Sequence, residues 1–141
     1  MKSINQIQDE IIEEFSMFED WMEKYEYIID LGKDLPHLSE NQKDDTQIIE
    51  GCQSRVWLKS EFLDEKMCFF ADSDAIITKG IIALLIQVLN NETPQNIASS
   101  DLFFIDEIGL KEHLSPTRAN GLLSMVKRMK MDAIKLVNSG K

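Results

Sequence analysis

The chain has 141 residues, of which 43% are hydrophobic, and it carries a formal net charge of -10 at pH 7. A chain of this size can bury a sizeable core without disulfides or metal, so we expect one globular domain over residues 1–141. The negative charge argues against a nucleic-acid partner, because phosphate binding needs a basic patch. The acidic excess lies in residues 1–50, which hold fourteen Asp or Glu and four Lys or Arg, whereas residues 51–141 hold eleven of each.

The beginning of the chain has no apolar run after a basic segment, and acidic residues start at Asp9, so we expect no targeting signal and a cytoplasmic location. The most apolar stretch, Ala75 to Leu89, is about fifteen residues long, which is too short for a hydrocarbon core of roughly 30 Å. We therefore expect a core helix there and no membrane partner. In a reducing cytosol, Cys52 and Cys68 are expected to be free thiols.

Two amphipathic helices are predicted near the beginning of the chain. The first starts at a capping box made by Ser3 and Gln6. Its apolar residues recur at spacings of three and four: Ile4, Ile7, Ile11, Phe15 and Phe18. The second carries a single apolar stripe: Trp21, Tyr25, Ile28 and Ile29. We expect Gly32 to be its C-cap residue, and the polar, irregular residues 33–50 to form a long loop.

The hydrophobic period changes to two after Cys52, which predicts a β-hairpin. Its first strand alternates two sets of residues: Val56, Leu58 and Ser60 on one face, and Trp57, Lys59 and Glu61 on the other. A tight turn at residues 64–66 leads to a second strand at residues 67–71, in which Cys68 is expected to be buried and structural. Because an isolated hairpin is marginal in water, it must pack on helices or recruit a third strand, for which residues 48–49 or 102–105 are candidates.

A helix that is apolar nearly all round, from Ala75 to Asn90, is expected to be the central helix of the domain. The Asp-Ser-Asp run at residues 72–74 precedes it and has the side chains typical of N-caps. Gly80 interrupts the helix, and a glycine there costs roughly 1 kcal/mol relative to alanine. We infer that another backbone approaches Gly80 closely, and the segment around Cys52 is one candidate.

Three further helices are expected, beginning at Thr93, at Asp106 and at Ser115. The second of them ends at His113, and the last runs to about residue 137. The last helix has a basic side and an apolar stripe: Leu122, Leu123, Val126, Met129, Ala133, Ile134 and Val137. Together these elements predict an α+β fold, in which a small antiparallel sheet packs against several helices.

Cys52 is the candidate functional residue. It follows Gly51 and precedes Gln53 and Ser54, and small or polar residues of this kind are typical of a turn that presents a side chain. The simplest alternative is that Cys52 is only a small buried hydrophobe, as lone cysteines usually are.

Other site chemistries find little support in the sequence. His37 and His113 are the only histidines available as a base for a thiol hydrolase, and each suits an ordinary surface position. Two cysteines and two scattered histidines lack the close spacing of a zinc site, and there is no glycine-rich phosphate loop, so we expect neither a metal nor a cofactor. A single exposed thiol without its own base can still accept and donate a group.

Four motifs occur along the chain. They are Gly-Cys-Gln-Ser-Arg-Val-Trp at residues 51–57, Asp-Ser-Asp-Ala at 72–75 with Lys-Gly at 79–80, His-Leu-Ser-Pro-Thr-Arg at 113–118, and the aromatic second helix from Trp21 to the Leu-Pro at 35–36. In this combination the chain resembles the SufE family of sulfur-acceptor proteins over nearly its whole length. The fold of that family also resembles the IscU scaffold proteins, although the three cysteines that those scaffolds use for cluster assembly are absent.

The resemblance implies a partner, a pyridoxal-phosphate cysteine desulfurase of the SufS type, which leaves a persulfide on its own cysteine. Cys52 would take the terminal sulfur, carry it as a persulfide, and pass it to an iron-sulfur scaffold protein. The chain would stimulate the desulfurase and would have no stand-alone turnover.

The resemblance also implies roles for residues around Cys52. Gly51, Gln53 and Ser54 would form its loop, and Arg118 would lie near it, where a guanidinium stabilises a thiolate or persulfide anion. The residues implied for partner docking are Asp72, Ser73 and Asp74. Arg55 departs from the family pattern, because relatives often carry an uncharged residue such as glutamine at this place.

Two other interpretations stay open. The acidic N-terminal helices and the basic last helix would serve an interaction module in which Cys52 is incidental, whereas a thiol hydrolase or peroxidase would turn over without a partner protein. For the carrier interpretation, we expect Cys52 to be tucked inward at rest, because an exposed thiolate is readily oxidised. The apolar residues expected to shelter it are Ile48, Ile49, Val56 and Trp57.

Overall fold

The structure, a computed structural model, describes residues 2–35, 38, 43, 48–49 and 54–139. Gly51, Cys52 and Gln53, as well as His37, lie outside the described residues. Within those described, the elements in chain order are α1 (Ile4–Ser16), α2 (Trp21–Lys33), β1 (Val56–Leu63), β2 (Lys66–Ser73), α3 (Ile76–Leu89), α4 (Pro94–Ser99), α5 (Phe104–Glu107), α6 (Leu110–His113) and α7 (Pro116–Asn138). The two strands are antiparallel, so the predicted α+β class is confirmed.

The first two helices begin at the caps that their sequences provide. Ser3 and Gln6 form the predicted capping box of α1, and the Asp20 side chain accepts a hydrogen bond from the backbone of Glu23 at the start of α2. The predicted end of α2 was wrong, because the helix continues through Gly32 and Asp34 is its C-cap residue.

Gly32 is instead a packing residue, and it meets the glycine of α3. A Cβ atom on Gly32 would lie 2.9 Å from the backbone nitrogen of Gly80, and a Cβ atom on Gly80 would overlap the carbonyl group of Ile28. The close backbone approach predicted at Gly80 is therefore present. The neighbour is α2, however, and not the segment around Cys52.

The hairpin joins β1 and β2 through a two-residue turn. Asp64 and Glu65 both have positive φ, of 53° and 66°, which matches the twist of the strands that they connect. Along the strands the pairing runs from Val56 opposite Ser73 to Leu63 opposite Lys66. The inward side chains are buried against the rest of the core: Val56, Leu58, Met67, Phe69 and Ala71.

Two details of the hairpin differ from the expectations. Cys68 is half-buried rather than buried, because it lies on the outer face of β2, where its thiol contacts the side-chain oxygen of Asn91 at 3.3 Å. Of the two candidates for a third strand, Ile48 makes one antiparallel bridge with Trp57, whereas the 102–105 region leads into the helix α5.

The apolar helix α3 lies at the centre of the core, as predicted, and most of its side chains are buried. After it, Thr93 and Ser115 cap α4 and α7 as expected. The single helix predicted from Asp106 was wrong: Gly109, with φ of 76°, separates two short helices.

The helix α7 packs its core face through Leu122, Met125, Met129 and Ala133. Two members of the predicted apolar stripe point to solvent instead, since Leu123 is 48% exposed and Ile134 is 42% exposed. The predicted stripe was wider than the face that α7 buries, and it omitted Met125. No helix within the described residues combines the length and the apolarity needed to cross a bilayer.

Candidate functional site

The described residues on both sides of positions 50–53 are attached to the hairpin. On the upstream side, the backbone N–H of Ile49 donates to the carbonyl of Val56 at 2.9 Å. The guanidinium of Arg128 in α7 donates to the carbonyl of Ile48 at 3.2 Å. The chain thus enters the segment that holds Cys52 alongside the first residues of β1.

The downstream side is attached to the end of β2. The backbone N–H of Arg55 donates to the Asp74 carboxylate at 3.1 Å, and the Ser73 hydroxyl donates to the Arg55 carbonyl at 2.8 Å. These bonds extend the pairing of Val56 with Ser73 by one more residue. The chain therefore leaves the Cys52 segment at the same end of the hairpin where it entered.

The Asp-Ser-Asp run does not cap α3, and this prediction was wrong. The N-cap residue is Ala75, which has no side-chain capping bond, because Asp74 is used by the backbone of Arg55. The side chain of Ser73 accepts a hydrogen bond from the backbone N–H of Ala75 at 3.2 Å. Asp74 and Ser73 thus fix the residue that follows the Cys52 segment.

Asp72 lies across the strand pair from Trp57 and contacts two lysines. Its carboxylate oxygens are 2.8 Å from the ammonium of Lys43 and 3.3 Å from that of Lys79. Burial on its own would raise the pKa of Asp72, but the hydrogen bonds from Lys43, the Ser73 backbone and Lys79 outweigh it, so the pKa lies below its ordinary value. Partner docking by this carboxylate stays a prediction, and within the chain it already has cationic partners.

A small cavity lies beside Ser54, at the downstream end of the Cys52 segment. Its walls come from the start of α3 and from the first three turns of α7, and they include Arg118, which is half-buried. The other lining residues are Thr78, Ile81, Thr117, Gly121 and Met125. The structure thus brings Ser54 and Arg118, two residues implied by the family resemblance, to one cavity.

Ile49 and Val56, two of the four residues expected to shelter Cys52, are buried, at 4% and 0% exposure. Ile48 and Trp57 are half-buried. Two of the four residues thus belong to the core, and the cavity beside Ser54 has a mixed lining that includes Thr78 and Arg118.

Three residues with direct contacts to this region were missed from the sequence: Lys43, Lys79 and Arg128. Lys43 lies in a stretch predicted only as loop, and its ammonium is 4.7 Å from the centre of the Trp57 ring. Lys79 was noted only as part of the Lys-Gly motif at residues 79–80. Lys79 is a charged residue within an otherwise apolar helix, and burial of a charge requires a partner of opposite charge. This is the sequence signal that could have indicated a partner for Lys79.

His113, one of the two histidines considered as a base, makes two contacts with other parts of the described chain. The ring stacks on Trp21 with the centroids 4.4 Å apart, and its Nδ1 atom is 2.8 Å from the carbonyl of Gly109. Among the residues that the structure describes, no three His, Cys, Asp or Glu side chains come close enough together to hold a metal ion.

A family model and two relatives with similar sequences indicate the same family. A family model described as "SufE: Fe-S metabolism associated domain" matches residues 9–133. An uncharacterized SufE-like protein of Rhizobium etli is 40% identical over 130 residues, which cover 89% of this chain and 88% of the relative. A SufE-like protein of Rhizobium meliloti, also uncharacterized, is 37% identical over 130 residues, which cover 89% of this chain and 93% of the relative.

One solved structure shows the same fold at a much lower sequence identity. The solution structure of a hypothetical protein from Thermus thermophilus superposes with a TM-score of 0.77 and covers 94% of this chain and 96% of its own. Its sequence identity is 17%, so this similarity concerns the fold alone.

Proposed function

The chain belongs to the SufE family, whose domain is associated with Fe-S metabolism, and we propose that it is a sulfur-acceptor protein for a SufS-type cysteine desulfurase. The observation that carries this proposal is the convergence of both flanks of Cys52 on one end of the hairpin, beside the cavity that Ser54 and Arg118 line. Such an arrangement suits a thiol that must be presented to another protein and then sheltered.

The proposed reaction is a thiol–persulfide exchange. The Cys52 thiolate attacks the terminal sulfur of the persulfide on the desulfurase, a new S–S bond forms on Cys52, and the donor cysteine leaves as a thiolate. One S–S bond is broken and one is made, so no external oxidant or reductant is needed. The same exchange then passes the sulfur to an iron-sulfur scaffold protein in the cytoplasm.

This chemistry needs a thiolate rather than a dedicated base. Arg118 lines the cavity beside Ser54, and a guanidinium favours the anionic forms of both a thiol and a persulfide. We assign Arg118 this supporting role. We assign Gly51, Gln53 and Ser54 to the loop that presents Cys52.

A persulfide carrier also has to protect its cargo between encounters. The buried side chains of Ile49 and Val56 adjoin the upstream flank, so an inward position of Cys52 would place its sulfur against apolar surface. Docking on the desulfurase would then turn the thiol outward. An unbound protein whose Cys52 is fully solvated would contradict this part of the proposal.

The central test is sulfur loading. The purified chain is mixed with a SufS-type desulfurase and cysteine, and intact mass is measured under non-reducing conditions. We expect one added sulfur, located on Cys52 by peptide mapping, together with faster sulfide release by the desulfurase. The matched control is Cys68→Ser, which should load sulfur normally, because Cys68 lies on the outer face of the hairpin and contacts Asn91.

Cys52→Ser should neither load sulfur nor stimulate the desulfurase. Full stimulation by this variant would overturn the proposal. It would favour the second candidate, an interaction module that docks through the acidic α1–α2 surface or the basic side of α7. Stimulation that is lost while binding persists would argue against that module.

A further inference from the structure

We propose that the outer side of α7 is a docking surface for an acidic amphipathic helix of another protein. The proposal goes beyond the sulfur-acceptor role and does not depend on it. The surface is a row of exposed side chains, which we call the outer row: Leu123, Lys127, Met131, Ile134 and Lys135. These residues follow one another mainly at steps of four and three, so they share one side of the helix and extend over about 18 Å.

The outer row lies on the side of α7 that faces away from the core. The buried side chains of this helix include Leu122, Met125, Met129 and Ala133. At 3.6 residues per turn, the buried set and the outer row fall on opposite sides of the helix. The cavity beside Ser54 is lined by Gly121 and Met125, which belong to the buried side. A partner on the outer row would therefore leave that cavity uncovered.

Three large apolar side chains of the outer row are exposed. Leu123 is 48% exposed, Met131 is 44% exposed and Ile134 is 42% exposed, so no element of the described chain covers them. Single exposed apolar residues are ordinary on a protein surface. Apolar residues that recur at steps of three and four along one side of a helix are instead typical of a face that packs on another helix.

The charge of the outer row comes from two lysines. The helix α7 carries five Lys or Arg and one Asp, although the whole chain has a net charge of -10. Two other cations of α7 are already engaged, since Arg128 is 3.5 Å from the Asp132 carboxylate and Lys130 donates to a backbone carbonyl. Within the part of the chain that the structure describes, the ammonium groups of Lys127 and Lys135 have no ion-pair or hydrogen-bond partner.

The two lysines determine the charge of the partner. An amphipathic helix with Asp or Glu beside its apolar stripe would place carboxylates against the lysines and apolar side chains against the apolar members of the outer row. Exposed ion pairs contribute little affinity, and their main effect is on orientation and on the choice of partner. The apolar contacts would therefore supply most of the binding, and the lysines would select an acidic helix.

Other occupants fit the outer row less well. In a two-fold contact between two outer rows, a second copy of this chain would bring the same lysines together, and like charges repel. An anionic membrane is attracted by clusters of about four to eight basic residues, whereas the outer row has two. The net charge of -10 opposes both alternatives.

The test follows the backbone amide signals of the isotope-labelled full chain by NMR while a synthetic peptide is added. The peptide is an alanine-rich helix of about 20 residues, with leucine and glutamate at steps of three and four on one side. We expect the strongest shifts in residues 120–138, and no shift at Ser54 or Thr78, which line the cavity. Peptides with lysine in place of glutamate, or glutamine in place of leucine, should bind at least about fivefold more weakly.

Reversal of the two lysine charges is the decisive change. The double variant Lys127→Glu, Lys135→Glu should bind the glutamate peptide about five- to thirtyfold more weakly, because two attractive contacts become repulsive. It should bind the lysine peptide more tightly than the parent chain does. The matched control Lys33→Glu, Lys111→Glu makes the same change in net charge at two exposed ion pairs outside the outer row, so it should stay within about twofold of the parent.

The apolar part of the outer row has its own matched pair of variants. Met131→Gln should weaken binding of the glutamate peptide by about three- to tenfold, because an apolar side chain that would be covered becomes polar. Met22→Gln changes a methionine on α2 that is 65% exposed, and it should leave binding unchanged. Both methionines are exposed, so we expect both variants to fold, and circular dichroism checks this.

Four results would overturn the proposal. The first is no binding of the glutamate peptide, or shifts centred on another surface, and the second is equal binding by the double variant and its matched control. The third is binding of anionic phospholipid vesicles that the double variant loses, which would reassign the outer row to a membrane. The fourth is self-association in sedimentation equilibrium that the double variant loses, which would reassign the outer row to a second copy.

Discussion

At the scale of single residues, Tyr27 shows how local packing changes the chemistry of a side chain. Its hydroxyl donates a hydrogen bond to the carboxylate of Glu14, and its ring packs edge-on against Phe15 with the centroids 5.4 Å apart. Burial, followed by the hydrogen bond and the charge of Glu14, raises the pKa of Tyr27 to about 12. The neutral phenol is therefore favoured in the folded chain.

The raised pKa of Tyr27 leads to a spectroscopic prediction. In a Tyr25→Phe variant, absorbance near 295 nm should show only about a tenth of the Tyr27 phenol ionised at pH 11 while the chain is folded. The Glu14→Gln variant should ionise at lower pH, because the charge of Glu14 is removed and its hydrogen bond with Tyr27 is no longer charge-assisted. Circular dichroism follows folding in parallel, and half-ionisation of the folded chain near pH 10 would contradict the prediction.

The same shift determines the sign of the effect on stability. The folded pKa lies above the unfolded value of about 10, so the stability that Tyr27 contributes is complete below pH 10. It is lost as the pH rises from about 10 to about 12. Asp72 behaves in the opposite way: its pKa is lowered on folding, so its contribution is present above its unfolded pKa and is lost as the pH falls through the folded one.

At the scale of elements, the contact between α2 and α3 depends on a pair of glycines. Gly32 and Gly80 face each other, and the backbone of α2 at Ile28 lies where a side chain on Gly80 would start. Glycine has a lower helix propensity than alanine. Gly80 therefore destabilises the helix α3 by roughly 1 kcal/mol relative to alanine. The close approach lets α3 pack tightly against α2, and α3 contributes many of the buried side chains of the core.

We predict that Gly80→Ala destabilises the protein in spite of the better helix propensity of alanine. The new methyl group would overlap the Ile28 carbonyl group, which cannot move without shifting α2. The expected loss is about 1–3 kcal/mol in the free energy of unfolding, measured with urea. Gly32→Ala, whose Cβ atom would meet Gly80 at 2.9 Å, should cost less. A Gly80→Ala protein as stable as the parent would contradict this packing.

At the scale of the whole molecule, a glutamine joins the first helix to a distant part of the chain. Gln8 is fully buried, at 0% exposure. Its amide nitrogen donates to the carbonyl of Asp101 at 3.0 Å, and its amide oxygen accepts from the backbone N–H of Phe104 at 3.1 Å. These bonds satisfy two backbone groups where the chain enters α5, of which the N–H of Phe104 is buried.

We predict that Gln8→Ala lowers the free energy of unfolding by about 1–3 kcal/mol, because it leaves the buried N–H of Phe104 without its partner and removes the bond to the Asp101 carbonyl. Gln6→Ala is the matched control on the same helix. Gln6 is exposed and makes only the local capping bonds with Ser3, so its loss should cost about 1 kcal/mol or less. Equal effects in urea unfolding would show that the Gln8 contacts contribute little.

The two glutamines illustrate what the sequence determined by itself. Gln6 caps its own helix, and a bond across three residues is visible as a sequence pattern. The hairpin, the caps at Thr93 and Ser115, the apolar centre of α3 and the α+β class follow from similarly local rules of period and turn composition, and all were predicted. Family membership was also inferred from sequence motifs.

The role of Gln8 was decided only by the tertiary structure, because its partners lie more than ninety residues away in the chain. The same holds for the Lys43–Asp72 ion pair, the partner of Gly80, and the use of Asp74 by Arg55 instead of by α3. Each of these contacts depends on which backbone segments and side chains become neighbours when the helices and strands pack together. A sequence shows that a residue needs a partner, through a buried charge or a glycine in a helix, whereas the packing of the elements decides which residue the partner is.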